Sequence, residues 1–332
     1  MIRRVTPSMA IEGGRLRIEG ERLLAGGGLP AVSIAGRLAR LERASPTTLI
    51  VTVPPGTASG VQPITHDGYA NQAELVEIGA PFVSGIHQVD NPVFDRRGWL
   101  YVTYSGSRGQ SAPVSIFRVM RDGSRQPFVI GITNPTSLAV DGAGRLHVTS
   151  RFDGTVYRIN EEGGFTVAAS ELGIACGLAF DERNVMYVGD RTGTIFRIEE
   201  GGRARIFATL PPSIAAFHLA VAPDGTLAAT GPTPGSRDPV YRIDRDGHVD
   251  VLYDGFGRPQ GLAFDSSGVL YVTEALAGRS GIYRLHGING AGVAAELLLS
   301  GPNLIGMAFD PQGGLAVSTN DTVYRLTGGA QA

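Results

Sequence analysis

An internal repeat of 40–46 residues, running from about residue 90 to the end of the 332-residue chain, restricts the possible folds more than any other feature. Its first element reads PQGLAFDSSGVLYVTE at 259–274, and further copies lie at 90–104, 134–150, 175–190, 218–230 and 304–319. A second element of the type VYRI follows in all six repeats, and a third apolar run follows that one in five of them. Because the first element holds two runs rich in Val, Ile and Tyr, each complete repeat offers four strands. Four-stranded units at this period predict the blades of a six-bladed β-propeller.

The turn between the first two strands of a repeat reads D-x-x-G, as in Asp265 to Gly268. Five repeats carry glycine at its last position, and the third repeat carries Asn184 there. Asparagine is the residue that best replaces glycine where the backbone needs a positive φ. The pattern therefore predicts a left-handed residue at the end of each of these turns.

The sixth repeat is incomplete, because only TGGAQA follows Leu326 and this is too short for an outer strand. The segment PFVSGIH at 81–87, just before the first blade, is predicted to supply that strand. Pairing the two ends of the ring in this way would remove an exposed sheet edge.

Residues 1–80 lack the repeat and read as short strands separated by Gly- and Pro-containing turns, which predicts a small β-sandwich. The phrases VTPSMAIEGGRLRIEGERL (5–23) and TTLIVTVPPGTASGVQPITHDG (47–68) resemble the IPT/TIG family of immunoglobulin-like domains. That resemblance implies a spacer or contact module without catalytic residues of its own. The expected chain is thus all-β, with an immunoglobulin-like β-sandwich over 1–80 and a six-bladed propeller over 81–332.

Composition excludes several classes of protein. All 29 basic residues are arginines, so a Schiff-base lysine and a P-loop lysine are both excluded. A net charge of −2 without a basic run argues against a nucleic-acid partner. The sequence has no apolar run long enough for a membrane span. No apolar leader follows the N-terminal arginines, which favours the cytoplasm; a secreted or cell-surface protein with its leader removed is the alternative.

The expected ligand site is the propeller face where the inner strands begin and the second strands end. The positions at the starts of the inner strands are Asp90, Thr136, Cys176, Phe217, Gln260 and Ile305. The loops after the second strands add Tyr104, Arg151, Asp190, Arg191, Glu274 and Asn320. These residues predict a mouth of mixed charge with an apolar side at Phe217 and Ile305.

The repeat region resembles NHL-repeat proteins and, more loosely, the gluconolactonase family that includes senescence marker protein. The phrase VDNPVFD (89–95) is similar to that family's E-G-P-x-W, and the resemblance places Asp90 where a metal-binding Glu is expected. The family's other ligand positions correspond to Ala175, Phe217 and Gln260, which leaves too few oxygen donors for a divalent cation. We therefore expect no cofactor; Asp90 is the single acidic position retained, and calcium or zinc belongs only to a hydrolase alternative.

Five side chains are candidates for chemistry. Cys176 and His218 lie in neighbouring repeats near the ring axis and could form a thiolate–histidine pair, or could be a small buried residue and a separate polar one. Glu274 could act as a general acid or base if desolvated, or could be a solvated rim carboxylate. In a hydrolase, Asp90 would act with Gln260 or Glu274.

Three functions follow from these features. The leading hypothesis is a non-enzymatic binding or scaffold protein whose propeller takes up a small molecule or a protein. The alternative is a metal-dependent hydrolase of lactones or related esters. A third possibility is a subunit of a homo-oligomeric or filamentous assembly, because a sandwich joined to a propeller offers two faces that could meet head to tail.

Overall fold

The regular secondary structure of the protein consists almost entirely of β-strands. The computed structural model describes residues 2–24, 28–67, 73–288, 290 and 292–326. Within these residues there is no α-helix, and a short 3-10 turn lies at Glu200–Gly202. None of the described segments forms a helix that could cross a lipid bilayer.

The N-terminal strands form two sheets that share one apolar core. They are β1 (Ile2–Thr6), β2 (Met9–Ala10), β3 (Arg15–Gly20), β4 (Val32–Ile34), β5 (Arg37–Leu38), β6 (Arg40–Ala44), β7 (Thr48–Thr52), β8 (Gly60–His66) and β9 (Ala73–Ile78). One sheet has the order β1-β3-β7-β6, and the other contains β2-β9-β8-β4-β5. In β3, buried Leu16 and Ile18 alternate with outward arginines, which is the period of a strand with one covered face. Leu49 and Val51 of β7 and Ile64 of β8 complete the same core.

The rest of the chain forms six blades of four antiparallel strands each; five blades are separate sheets, and blade five continues into an N-terminal sheet. Blade six receives its outer strand, β10 (Ala80–Ser84), from the start of this region. Blade one consists of β11 (Val93–Phe94), β12 (Leu100–Thr103), β13 (Ile116–Val119) and β14 (Arg125–Val129). Blade two consists of β15 (Pro135–Val140), β16 (Leu146–Ser150), β17 (Thr155–Ile159) and β18 (Phe165–Ala169). Blade three consists of β19 (Ala175–Phe180), β20 (Met186–Asp190), β21 (Thr194–Ile198) and β22 (Ala204–Thr209). Blade four consists of β23 (His218–Val221), β24 (Leu227–Thr230), β25 (Val240–Ile243) and β26 (Val249–Tyr253). Blade five consists of β27 (Pro259–Phe264), β28 (Leu270–Glu274), β29 (Gly281–His286) and β30 (Ala294–Ser300). The other three strands of blade six are β31 (Gly306–Phe309), β32 (Leu315–Ser318) and β33 (Thr322–Leu326).

The blades are arranged in a closed ring. Each inner strand contacts the inner strand of the next blade, and β11 contacts β31. Strand β10 pairs antiparallel with β33, matching Ala80 with Arg325 and Ser84 with Thr322. Val83 of β10 is buried in the core shared by blades six and one. The segment to which the sequence assigns closure therefore provides the outer strand of blade six, and that strand ends at Ser84.

The repeated turn has the backbone conformation that its sequence predicts. In blade five, Asp265 Oδ1 accepts hydrogen bonds from the backbone N–H of Ser267 and Val269, at 2.9 and 3.0 Å. Gly268 has a φ of 83°, and Asn184 at the corresponding position of blade three has a φ of 66°. The prediction of a left-handed residue at this position is confirmed.

The N-terminal sheets and the propeller are connected by strand pairing as well as by the chain itself. Strand β2 lies parallel to both β9 and β30, so blade five and one N-terminal sheet form a single nine-stranded sheet. The backbone N–H of Ile11 also donates to Ser300 O at 3.0 Å. Only Gly79 separates β9 from β10. The boundary at residue 80 thus falls within a continuous structural joint, and its role as a domain boundary stays a prediction.

Candidate functional site

A cavity of about 350 Å³ opens at the end of the ring where the inner strands begin; we call it the mouth cavity. All six blades contribute to it, because each inner strand brings its first residues, or those just before it, to the axis. The lining residues are Val89, Thr136, Arg151, Ile174, Cys176, Arg191, Ile214, Ala215, Ala216, Gln260 and Ile305. The volume is at the lower end of the range for small-molecule sites.

Six of the residues assigned to this face from sequence line the mouth cavity: Thr136, Arg151, Cys176, Arg191, Gln260 and Ile305. Sequence reasoning missed Val89, Ile174 and Ile214 and the two alanines after Ile214. These residues lie before inner strands rather than within the repeat element, so the repeat gave no register for them. Their presence near an inner-strand start is the one local feature that could have identified them.

Other residues assigned to the mouth lie outside its lining. The Tyr104 ring packs edge-on against His87 and Phe117. Asn320 uses its side-chain amide to donate to Gln88 O at 3.0 Å. Phe217 is fully buried in the core shared by blades three and four, so the apolar wall of the mouth consists of isoleucines and alanines instead.

Two acidic residues at the ends of second strands hold loops. Asp190 Oδ1 accepts a hydrogen bond from the backbone N–H of Ile174 at 2.8 Å. Glu274 is fully buried and accepts from three backbone N–H groups, those of Gly257, Arg258 and Leu276, at 2.6, 2.9 and 2.7 Å. Glu274 is therefore not a solvated rim carboxylate, and its oxygens are committed to the backbone of the loops on either side of it.

The two arginines of the mouth follow second strands of adjacent blades and have no carboxylate partner among the described residues. Arg191 is held by its Nε and Nη2 groups, which donate to Ser213 O and Ile214 O at 3.2 and 2.6 Å. Arg151 Nε is buried and has no hydrogen-bond partner. Burial lowers the pKa of Arg151, and the positive charges of Arg108 and Arg191 lower it further. No acidic side chain lines the described cavity, so the mouth is positive rather than of mixed charge.

Beneath the mouth, Asp90 and His218 meet across the axis; we call them the hub pair. His218 Nδ1 donates to Asp90 Oδ1 at 2.5 Å, and that oxygen also accepts from the backbone N–H of Asn91 at 2.7 Å. His218 is completely buried and Asp90 is 5 % exposed. His218 Nε2 is buried and has no partner among the described residues. The hydrogen bond joins blades one and four, which lie opposite each other in the ring of six blades.

Cys176 and His218 do not form the pair that their positions suggest. The Cys176 Sγ accepts a hydrogen bond from the backbone N–H of Phe217 at 3.3 Å, while His218 is engaged by Asp90. Burial is the main reason that the pKa of Cys176 rises to about 12. A thiol in this state is protonated at neutral pH and is a poor nucleophile.

The residues at the family's metal-ligand positions do not fit a divalent cation. One oxygen of Asp90 is already shared between a histidine and a backbone N–H. Ala175 and Phe217 are buried and carry no donor atom, and Gln260 adds one neutral amide. Divalent calcium requires six to eight oxygens, which this set does not provide.

A larger groove of about 640 Å³ lies between blades one and two, away from the mouth. Its basic side chains lie against aromatic rings and acidic side chains, although Arg118 Nε is buried without a hydrogen-bond partner among the described residues. Arg118 lies over the Trp99 and Phe128 rings at 4.5 and 4.9 Å, and Arg97 pairs with Glu161 at 3.3 Å. The mouth cavity is smaller, but its described lining holds two arginines and no acidic side chain, whereas Asp95, Glu161 and Glu162 line the groove, and for this reason we place the candidate site in the mouth.

The fold and the site together define a six-bladed β-propeller with a ligand-sized opening at its hub. No protein-family model matches the sequence, and no curated protein matches it. Among solved structures, the chain is similar to an auxiliary nutrient binding protein from Bacteroides ovatus, with 11 % identity, a TM-score of 0.56, and coverage of 98 % of this chain and 97 % of that one. It is also similar to a gluconolactonase from Xanthomonas campestris, with 14 % identity, a TM-score of 0.61, and coverage of 86 % and 99 %. A virginiamycin B lyase from Staphylococcus aureus matches at 15 % identity, with a TM-score of 0.55 and coverage of 90 % and 99 %. Identities at this level establish the shared fold and not the activity.

Proposed function

We propose that this protein is a non-catalytic binding protein that takes up a small molecule in the mouth cavity of its propeller. The observation that carries the proposal is a pair of arginines, without carboxylate partners in the part of the chain that the structure describes, in a cavity lined by all six blades. Uncompensated charge in a partly buried opening is unfavourable in the free protein and becomes favourable when a ligand neutralises it.

The state of the candidate catalytic groups also supports binding over hydrolysis. The carboxylates of Asp90 and Glu274 are bonded within the protein, and the Cys176 thiol is protonated at neutral pH. Two of the solved structures that match this chain over 98 % of its length are described as auxiliary nutrient binding proteins. A nutrient-type solute is therefore a reasonable class of ligand for the first screen.

We further propose that residues 1–80 form an immunoglobulin-like β-sandwich of the IPT/TIG type that acts as a rigid spacer. Two sheets over one apolar core support this assignment. The nine-stranded sheet shared with blade five supports the rigidity.

The binding proposal is tested by screening sugars, amino acids, organic acids and lactones for an increase in melting temperature, since a ligand specific for the native state must stabilise it. Hits are then measured by calorimetry with Ala216→Trp, which fills the mouth cavity, and with Ala143→Trp, which places the same side chain on an exposed turn. We expect binding to be lost in the first variant and kept in the second, with the ligand recovered unchanged.

A lactone that is turned over, with turnover lost in Asp90→Ala, would replace the binding proposal with the hydrolase alternative. Hits that bind Ala216→Trp as well as the parent chain would show that the mouth is not the site. A screen in which no solute binds would also reject the proposal.

A further inference from the structure

We propose that the ligand of the mouth cavity is a small organic carboxylate with an apolar body, and that its charged end binds between Arg151 and Arg191. This inference rests on the proposed function and adds the chemical class of the ligand. It is carried by the distribution of charge and apolar surface around the cavity.

The charged side of the cavity is built by two successive blades. Arg151 follows β16 and Arg191 follows β20, so the same structural position in neighbouring repeats brings both guanidinium groups to one sector of the mouth. Arg191 is oriented by the carbonyl groups of Ser213 and Ile214, which fixes one cation in place. A guanidinium group presents paired N–H donors that match the two oxygens of a carboxylate.

Arg151 is the less satisfied of the two. Its Nε is buried without a partner, and the neighbouring charges are the arginines at 108 and 191 rather than a carboxylate. Arginine stays protonated in proteins, so this arrangement leaves a buried donor and an uncompensated positive charge. An anion seated against Arg151 would satisfy both at once, whereas a neutral or cationic ligand would leave the charge unpaired.

The remaining lining is apolar and suits the body of an organic acid rather than an inorganic ion. Val89, Ile174, Ile214 and Ile305 lie around the same cavity, with the alanines at 215 and 216. Thr136 and Gln260 are the polar uncharged residues of this lining. A hydrated inorganic anion would leave these surfaces in contact with water, while an alkyl or aryl group would bury them.

The test uses matched probes on the full chain: alkyl and aryl carboxylates of graded size, the corresponding neutral amides, the corresponding amines, and inorganic phosphate. Affinity is measured by calorimetry at low and high salt. We expect the carboxylates to bind at least about tenfold more tightly than their amides, with affinity falling as salt increases. Phosphate binding without carboxylate binding would overturn the organic part of the assignment.

Arg151→Gln separates a binding role from a structural one. Because Arg151 contributes a half-buried charge that has no carboxylate partner among the described residues, this variant should melt at the same or a higher temperature than the parent while losing at least about tenfold in carboxylate affinity. Arg151→Lys should recover part of the affinity. The matched control, Arg158→Gln, removes an exposed arginine of blade two and should leave binding unchanged.

The outcomes distinguish the two proposals. Equal binding of amides or amines, lost in Ala216→Trp, would overturn the carboxylate assignment and leave the mouth as a binding site. Arg151→Gln with unchanged carboxylate affinity would also overturn it. If no probe and no solute of the wider screen binds, the proposed function itself fails.

Discussion

The hub pair should contribute to stability in a way that depends on the shape of the side chain at position 90. Asp90→Ala removes the acceptor of two donors, the buried His218 Nδ1 and the partly buried backbone N–H of Asn91. A buried donor left without a partner costs about 1–3 kcal/mol, so the variant should lose at least about 1–3 kcal/mol of the free energy of unfolding. Asp90→Asn keeps an oxygen at the same place and should lose less than about 1 kcal/mol.

The assay is urea unfolding of the full chain, completed by a double-mutant cycle with His218→Ala. The cycle should give a coupling energy of about 1–3 kcal/mol between positions 90 and 218, because the side chains are in direct contact. The control is Asp246→Ala, which alters an exposed carboxylate and should change stability by less than about 0.5 kcal/mol. A loss below about 0.5 kcal/mol in Asp90→Ala, or an equal loss in Asp90→Asn, would refute the reasoning.

Three further predictions concern ring closure, the repeated turn and the lone thiol. Val83→Asp places a charge in the core between blades six and one and should lower the free energy of unfolding by at least about 3 kcal/mol. Ser84→Asp, on the exposed face of the same strand, should change it by less than about 0.5 kcal/mol. Both values are measured by thermal or urea unfolding. Gly144→Ala should cost about 1–2 kcal/mol, since φ is 81° and no side chain blocks the added methyl group; Gly144→Asn should cost less, and equal costs would contradict the left-handed explanation. Cys176 should resist alkylation at pH 8 until the protein unfolds. The free energy of unfolding should fall as pH rises from about 9 to about 12, because in this range the thiol ionises only in the unfolded protein. Cys176→Ser should abolish that part of the pH dependence.

The repeat predicted the ring well because its information is local. Strand positions follow from runs of Val, Ile and Tyr, and the turn follows from an aspartate that accepts two backbone N–H groups before a left-handed residue. Asn184 made that requirement visible, since it departs from glycine in the one way that the backbone permits. The residues that follow second strands, such as Arg151 and Arg191, reached the mouth for the same reason.

The contacts that could not be predicted are those made between distant blades or between a side chain and a loop backbone. His218 is 128 residues from Asp90, and no local pattern indicates that their side chains meet across the axis. Cys176 lies in the blade next to that of His218, and this neighbouring position suggested a Cys176–His218 pair, but the side chain of His218 binds Asp90 instead. Glu274 occupies a strand end expected to face solvent, but three backbone amides turn its carboxylate into the adjoining loops.

The two-residue strand β2 has a consequence for any attempt to isolate the propeller. The outer strands of blades one to four each have one strand neighbour, whereas β30 of blade five has a second one in β2. A truncated chain beginning at residue 80 would expose the backbone donors and acceptors along that flank of β30. An open strand edge is a site at which another chain can pair, so the shortened protein, with one more open edge than the full chain, should self-associate more strongly. The N-terminal segment thus covers the outer edge of blade five from within the same chain.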